Sequence, residues 1–308
     1  MADHDVIIVG SGLAGLTAGL FAARYGLSTL VLEANIPGGD LISIEKIEDF
    51  PGFPDGIPGY ELCPNLQRQV ADQGAEFQRT EVLSVEAEDR FWSVVTSEER
   101  YRAKAVIVAT GSTLKELDVP GAVKFQRKGV SHCASCDGPL YNGQVVGVVG
   151  GGDSALQEAL TLTNFTERII LFHHAAAFSA QHAYQKGILG HSKIEVRYQN
   201  VVEEILGDDG VTGVRIRDAA TAEKAQIDLG GVFVYVGLKP NTAFLKNTLH
   251  LSDTGHIPTD VWMRTERPGL YAVGDIRQDS PAQAITSAGE GATAAIAAYR
   301  YIKEIFRE

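Results

Sequence analysis

Val6-Ile7-Ile8-Val9-Gly10-Ser11-Gly12-Leu13-Ala14-Gly15 joins a short apolar run to a glycine-rich turn. A helix pattern follows from Leu13 to about Tyr25. A second apolar run, Thr29 to Leu32, then ends at the acid Glu33. Strand, glycine turn, helix, strand and acid together form a nucleotide-binding pattern. Gly10 permits the tight turn, Gly12 lets backbone approach a pyrophosphate, and Gly15 lets the helix pack closely on the strand. The helix N-terminus then faces the phosphate charge. Glu33 follows at the distance where a carboxylate hydrogen-bonds a ribose hydroxyl.

The same unit recurs further along the chain. Gly143 to Val149 reads as a strand and runs into Gly150-Gly151-Gly152-Asp153-Ser154-Ala155. A helix pattern covers Asp153 to Asn164, and Ile169 to Phe172 reads as the next strand. Here no acid closes the unit, and no arginine stands ready for a 2′-phosphate; His173, His174, Ala175, Ala176, Ala177, Phe178 and Ser179 follow instead. The loop suits a pyrophosphate, but the usual discriminating contacts are missing. His173 and His174 are a poor metal pair, because neighbouring side chains on a strand face opposite ways.

Between the two glycine loops lies Cys133-Ala134-Ser135-Cys136-Asp137-Gly138. Such a pair closes a small disulfide or stays open as a dithiol, exchanging two electrons and two protons. A purely structural disulfide is a poor reading, since so short a loop adds little stability. A zinc half-site would need a second pair of ligands, and Cys63, the chain's remaining cysteine, reads as a packing residue. His132 has two readings: a turn residue, or, if protonated, a group that favours a thiolate on Cys133.

The rest of the chain fills in a two-domain α/β protein. Residues 60–74 read as a helix after a turn-rich stretch that contains Pro37, Gly38 and Gly39. Thr80 to Val85, Phe91 to Thr96 and Arg100 to Ala103 read as a small antiparallel element. Lys104 to Ala109 reads as a separate buried strand leading to Thr110 and Gly111. Pro120-Gly121 and Pro240 mark domain crossings. Ile194 to Tyr198, Val201 to Leu206 and Val211 to Arg217 read as a meander. Ala282 to Arg300 reads as a long helix broken at Gly289 and Gly291. The length of 308 residues with 44% hydrophobic content supports large cores. A net charge of −12 argues against a nucleic-acid surface. No apolar run reaches the ~20 residues of a membrane span. With three cysteines and no export signal in view, the expected location is cytoplasmic.

Taken in order, these motifs resemble the low-molecular-weight thioredoxin reductases over nearly the whole chain. The carriers are the first glycine loop with Glu33, Pro37-Gly38-Gly39, Ala109-Thr110-Gly111, Cys133 to Gly138, Gly150 to Ala155, Gly274-Asp275 and Gln283-Ala284-Ile285-Thr286. The resemblance implies two Rossmann-like, three-layer nucleotide-binding domains, the second inserted into the first. The first, residues 1–114 and 241–308, would bind FAD; the second, residues 115–240, would carry the dithiol. It also implies a homodimer. It places FAD against Gly10, Gly12, Ala14, Gly15, Glu33, Ala34, Gly38, Gly39, Leu41, Ala109, Thr110, Gly111, Gly274, Asp275, Gln283 and Ala284. Cys133 and Cys136 become the redox disulfide, with Asp137 as the acid in thiol–flavin exchange. The second nucleotide site would comprise Gly150, Gly151, Gly152, Asp153, Ser154, His173 and His174.

Three departures qualify that picture. The family's histidine-arginine-arginine stretch, and the arginine after it, bind the 2′-phosphate of NADPH; here His174, Ala175 and Ser179 leave no arginine. Asp40 and Asp49 stand where glutamine and asparagine are usual. Asp279 to Ala282 lacks the usual aromatic and arginine. The expectation is therefore a thioredoxin-reductase-like flavoenzyme that does not use NADPH. Its electrons would come from a ferredoxin-type donor or from a second FAD in the former NADPH site. Its acceptor would be a protein disulfide such as thioredoxin, or a small disulfide. The alternatives are an oxygen-using dithiol oxidase and a flavin-bound redox sensor without turnover.

Overall fold

The computed structural model describes residues 3–306. They divide into two compact units. One takes in the chain up to Thr113 and again from Lys239; the other is Leu114–Leu238. The boundaries implied by the resemblance, after Leu114 and after Pro240, lie one and two residues further along, whereas the Pro120-Gly121 crossing read from the residues falls inside the second unit.

In chain order, the first unit begins with β1 (Asp3–Val9), α1 (Leu13–Arg24), β2 (Thr29–Glu33), α2 (Gly59–Asp72), β3 (Glu76–Arg79), β4 (Val82–Glu88), β5 (Phe91–Thr96) and β6 (Arg100–Val108). The chain then passes through β7 (Ser112–Leu114). The second unit contributes β8 (Val130–Ser131), α3 (Ala134–Asp137), β9 (Val145–Gly150), α4 (Asp153–Leu162), β10 (Arg168–His173), α5 (His182–Leu189), β11 (Ile194–Tyr198), β12 (Asn200–Gly207), β13 (Val211–Asp218), β14 (Lys224–Asp228) and β15 (Gly231–Tyr235). The return passes through β16 (Leu238–Pro240), which pairs with β7, and ends with β17 (Leu270–Ala272) and α6 (Ala284–Ile305).

The first unit's sheet has the order β3-β2-β1-β6-β5-β4, with β17 also paired to β6. Side chains alternate across β1 as a strand requires. Val6 and Ile8 face a core with α1 and α6, while Ile7 and Val9 face one with Trp92, Val94, Leu245 and Ile257. Both faces are covered, which is why the run is continuously apolar. In place of two strands meeting near Ala103, β6 is continuous. Arg100–Ala103 pairs antiparallel with β5, and Arg102–Val108 pairs parallel with β1. The polar start and apolar end of this segment reflect a change of neighbours along one strand.

The second unit repeats the plan with an all-parallel sheet, β11-β10-β9-β15-β8. Ile169 and Leu171 face α4 and α5; Ile170 and Phe172 face the antiparallel β12–β13–β14 layer. Each unit is thus a three-layer α/β assembly. The predicted break in the last helix does not occur: α6 runs unbroken through Gly289 and Gly291. Gly291 is a contact residue, since a Cβ there would lie 2.1 Å from the Ala14 carbonyl oxygen. Its smallness brings α6 against α1.

Candidate active site

The first glycine loop is shaped by close backbone approach. Gly10 has φ +99°, a conformation that favours glycine. A Cβ on Gly15 would lie 2.0 Å from the Gly10 carbonyl oxygen and 3.2 Å from the Ala109 Cβ. At Gly12, in contrast, an added Cβ meets no atom within 4 Å. Around that opening the fold gathers most of the residues expected to line FAD. Gly38 donates to the Ser11 carbonyl at 2.8 Å and bridges to Gly12. Ala109 donates to the Val9 carbonyl at 2.7 Å, and a Cβ on Gly274 would lie 3.3 Å from the Ala14 Cβ. Gly39 and Leu41 belong to a short 3-10 turn, Gly39–Ser43, and Gln283 caps α6, which begins at Ala284. Ala34 is exposed beyond Glu33. An open backbone cradle at the N-terminus of α1 fits the pyrophosphate of FAD.

Glu33 does more than await a ribose. One of its carboxylate oxygens accepts from both the Ser11 amide (2.8 Å) and the Ser11 hydroxyl (2.7 Å), and the other accepts from the Asn35 amide at 2.9 Å. The acid therefore holds the glycine loop. Asn241 was not legible as a site residue. Its side-chain amide donates to the Thr110 carbonyl at 3.0 Å, its own carbonyl accepts from the Thr110 hydroxyl, and its backbone amide donates to Gly111. Nothing local in the sequence links Asn241 to residues 130 positions earlier.

Carboxylates crowd the same unit. Partial desolvation holds the Asp40 carboxyl above its ordinary range, although the residue keeps an exposed edge. Burial, with help from the charges of Glu290 and Asp40, does the same to Asp275. The largely buried Glu290 accepts from the Gly274 amide at 2.7 Å and pairs with Arg277 at 2.6 Å. Cys63 is fully buried beside Gly38, and burial pushes its thiol up to about 11; that suits packing, not redox chemistry.

In the second unit, Cys133 and Cys136 are joined as a disulfide with their Cα atoms 5.3 Å apart. Cys133 caps the one-turn helix α3, and its sulfur accepts from the Cys136 amide at 3.2 Å. Cys136 is exposed and Cys133 half-buried. Asp137 is anchored by the Ser131 hydroxyl at 2.6 Å, and that hydroxyl accepts from the Cys133 amide at 3.1 Å. Ser131 thus connects the carboxylate to the cysteine backbone. Burial lowers the proton affinity of His132, with Glu116 only partly opposing it. That direction weighs against His132 as a cation beside the cysteine pair and toward its reading as a turn residue.

The second glycine loop is closed against the segment after β10. The Ser179 amide and hydroxyl donate to the Gly151 carbonyl at 3.0 and 3.2 Å, and Asp153 accepts from the backbone and side-chain amides of Gln181. His173 is buried under the loop, where a Cβ on Gly151 would lie 2.2 Å from Nδ1; its Nε2 lies 2.9 Å from the Ala177 carbonyl oxygen. His174 points out to solvent. Ser154 is exposed at the start of α4. Among the described residues no cluster suitable for a metal occurs, and no helix is long and apolar enough to cross a membrane.

Comparison with known proteins accounts for this combination. The family model for pyridine nucleotide-disulphide oxidoreductases matches residues 4–291. The chain is 37% identical over 300 residues to a thioredoxin reductase of Treponema pallidum, covering 97% of each. It superposes on a crystal structure of Lactococcus lactis thioredoxin reductase with TM-score 0.96 and 36% identity, covering 98% of this chain and 100% of that one. A ferredoxin-flavin thioredoxin reductase from Clostridium acetobutylicum matches at TM-score 0.54 and 28% identity, covering 99% of each. With two glycine-loop units, a cysteine disulfide before the second loop and likeness along its full length, the chain belongs to the pyridine nucleotide-disulphide oxidoreductases, as a thioredoxin-reductase-like, flavin-dependent disulfide oxidoreductase.

Proposed function

We propose that this enzyme reduces a protein disulfide such as that of thioredoxin through Cys133 and Cys136, and that its electrons come from a carrier other than NADPH. The observation that carries this is Ser179. It lies against Gly151 with a hydroxyl where the family pattern that the sequence resembles has a guanidinium, while residues 173–181 contain no arginine or lysine. A charge-assisted hydrogen bond contributes about 1.5–3 kcal/mol, so each missing guanidinium weakens a 2′-phosphate complex by about ten- to a hundredfold. A ferredoxin-type donor, or a second flavin on the Gly150–Ser154 cradle, would bypass that loss.

FAD held at the first glycine loop would supply two-electron chemistry for the dithiol. The chain's own residues do the rest. Two electrons and two protons open the Cys133–Cys136 bond to a dithiol. One thiolate attacks the acceptor disulfide and forms a mixed disulfide, releasing one acceptor sulfur. The remaining cysteine then attacks the mixed disulfide, restores Cys133–Cys136 and frees the reduced acceptor. Asp137, fixed by Ser131, exchanges the proton at the cysteine pair.

The second reading is reduction by a pyridine nucleotide, favoured by the intact Gly150–Gly152 cradle at the start of α4. Anaerobic mixing with NADPH and with NADH separates the two. The proposal requires that flavin absorbance persist with both, while chemically reduced enzyme still reduces a thioredoxin disulfide. Fast stoichiometric bleaching by NADPH would overturn it.

A further inference from the structure

Asp137 is not the only carboxylate tied to the cysteine pair. Glu158, on α4, accepts at Oε2 from the Ala134 amide at 2.7 Å. That amide belongs to the peptide bond of Cys133 itself. The same oxygen accepts from the Tyr235 hydroxyl at 3.0 Å. Tyr235 is almost fully buried on β15. Two donors converging on one oxygen favour an ionised Glu158. Burial, reinforced by the Glu158 charge, pushes the Tyr235 phenol well above its ordinary range, so it remains a donor.

We propose that Glu158, held by Tyr235, is a positioning residue of the redox site whose fixed negative charge raises the proton affinity of the reduced Cys133–Cys136 pair. The chemistry calls for such a group. Opening the disulfide adds two electrons, breaks the S–S bond and leaves two sulfurs that share two protons at most. A charge one peptide from Cys133 disfavours a thiolate there and biases the pair toward keeping a proton. Asp137 acts through Ser131, and Glu158 acts through Ala134, so the cysteine turn is tethered to a carboxylate from both sides.

α3, β9, α4 and β15 contain no lysine or arginine. The other titratable groups close by are Asp137, Tyr141, whose phenol is raised by burial and by Asp137, and His132. On the elements that pack against the other sides of α4, α5 carries His182, Tyr184 and Lys186, and β10 carries His173 and Arg168, which pairs with Glu195.

This rests on Cys133–Cys136 being the redox pair but not on the identity of the electron donor. The test therefore uses chemically reduced holoenzyme with the reductant removed. Iodoacetamide labelling is followed by mass spectrometry at each cysteine from pH 5 to 9, with buried Cys63 as internal control. If Cys133 and Cys136 react no faster than Cys63, the redox reading itself fails. With Glu158→Gln, the amide oxygen still accepts from Ala134 but the charge is gone. Its labelling midpoint should fall by about one pH unit, the scale on which a neighbouring like charge moves a titration. Glu158→Asp keeps the charge and should stay nearer wild type. Tyr235→Phe leaves the charge with one donor fewer, so its midpoint should hold or rise. An unmoved or raised midpoint in Glu158→Gln overturns the proposal. So does a fall in Tyr235→Phe matching that of Glu158→Gln, because loosened packing would then explain both. Should Glu158→Gln fail to fold, a midpoint in Tyr235→Phe that holds or rises supports the proposal and a fall refutes it.

Discussion

Replacing Glu290 by alanine should destabilise the first unit by about 3–5 kcal/mol, the range for stripping one partner from a buried ion pair. The side chains of Arg277 and Glu290 are only 15% and 9% exposed, and they meet at 2.6 Å. Without Glu290, Arg277 keeps a single hydrogen bond to the Thr259 hydroxyl at 2.8 Å, while its Nε is already buried without a partner. The Gly274 amide loses its 2.7 Å acceptor as well. An orphaned buried amide costs about 1–3 kcal/mol, and this overlaps the ion-pair loss because both follow from one cavity. Glu290→Gln retains an acceptor for Gly274 and should cost less, about 1–3 kcal/mol. Replacing both Glu290 and Arg277 by methionine should recover most of the loss, since apolar isosteres of a buried pair are often neutral. The assay is urea unfolding of apoprotein followed by tryptophan fluorescence. Both tryptophans of the chain, Trp92 and Trp262, lie in the first unit, so the signal reports the unit that carries the mutation. A second readout is flavin retention, because Glu290 holds the Gly274–Asp275 turn. An alanine variant within about 0.5 kcal/mol of wild type, the range of an ordinary surface substitution, with an unchanged m-value, would refute the reasoning.

Glycine substitutions should separate folding from cofactor binding. Gly15→Ala forces a Cβ onto the Gly10 carbonyl and should destabilise the apoprotein, whereas Gly12→Ala meets open space and should spare apoprotein stability while lowering the flavin-to-protein ratio. Asp275 has a folded-state proton affinity above its ordinary 3.8. Its contribution to stability is therefore full below that pH and lost as pH rises through the raised folded value. Asp275→Asn should raise the Tm of apoprotein at pH 7, with the gain vanishing toward pH 3.8; a gain independent of pH would contradict the assignment. Restoring three guanidinium groups with His174→Arg, Ala175→Arg and Ser179→Arg should tighten NADPH binding by at least about tenfold, read by flavin bleaching under anaerobic titration. No tightening would show that the missing clamp does not limit nucleotide use.

Much of this protein is legible in local sequence. Each strand–glycine loop–helix unit is encoded within about 30 residues, and the constraints on Gly10 and Gly15 act over a few positions. The cysteine pair and Asp137 lie within a single turn, so their proximity follows from spacing alone. The alternation of Val6 and Ile8 against Ile7 and Val9 assigns the two faces of β1 before any partner is known. Other features depend on what folds against them. Gly289 and Gly291 read as helix breakers because intrinsic propensity penalises glycine, yet α6 continues because Gly291 docks on Ala14, far away in the chain. β6 reads as two strands because its neighbours change from an antiparallel to a parallel context. His132 reads equally as a turn residue or a cation, and only its burial in the fold lowers its proton affinity.

The sequence by itself determined the two nucleotide folds, the dithiol between their loops and the absence of arginine and lysine from residues 173–181, because each is written in contiguous residues with a local conformational meaning. Only the tertiary structure decided which polar groups meet. Glu158 and Tyr235 converge on the Ala134 amide, Asn241 clasps Thr110, and Glu290 joins Gly274 to Arg277. These partners share no spacing or periodicity, so their hydrogen bonds exist only once the sheets have brought distant segments together.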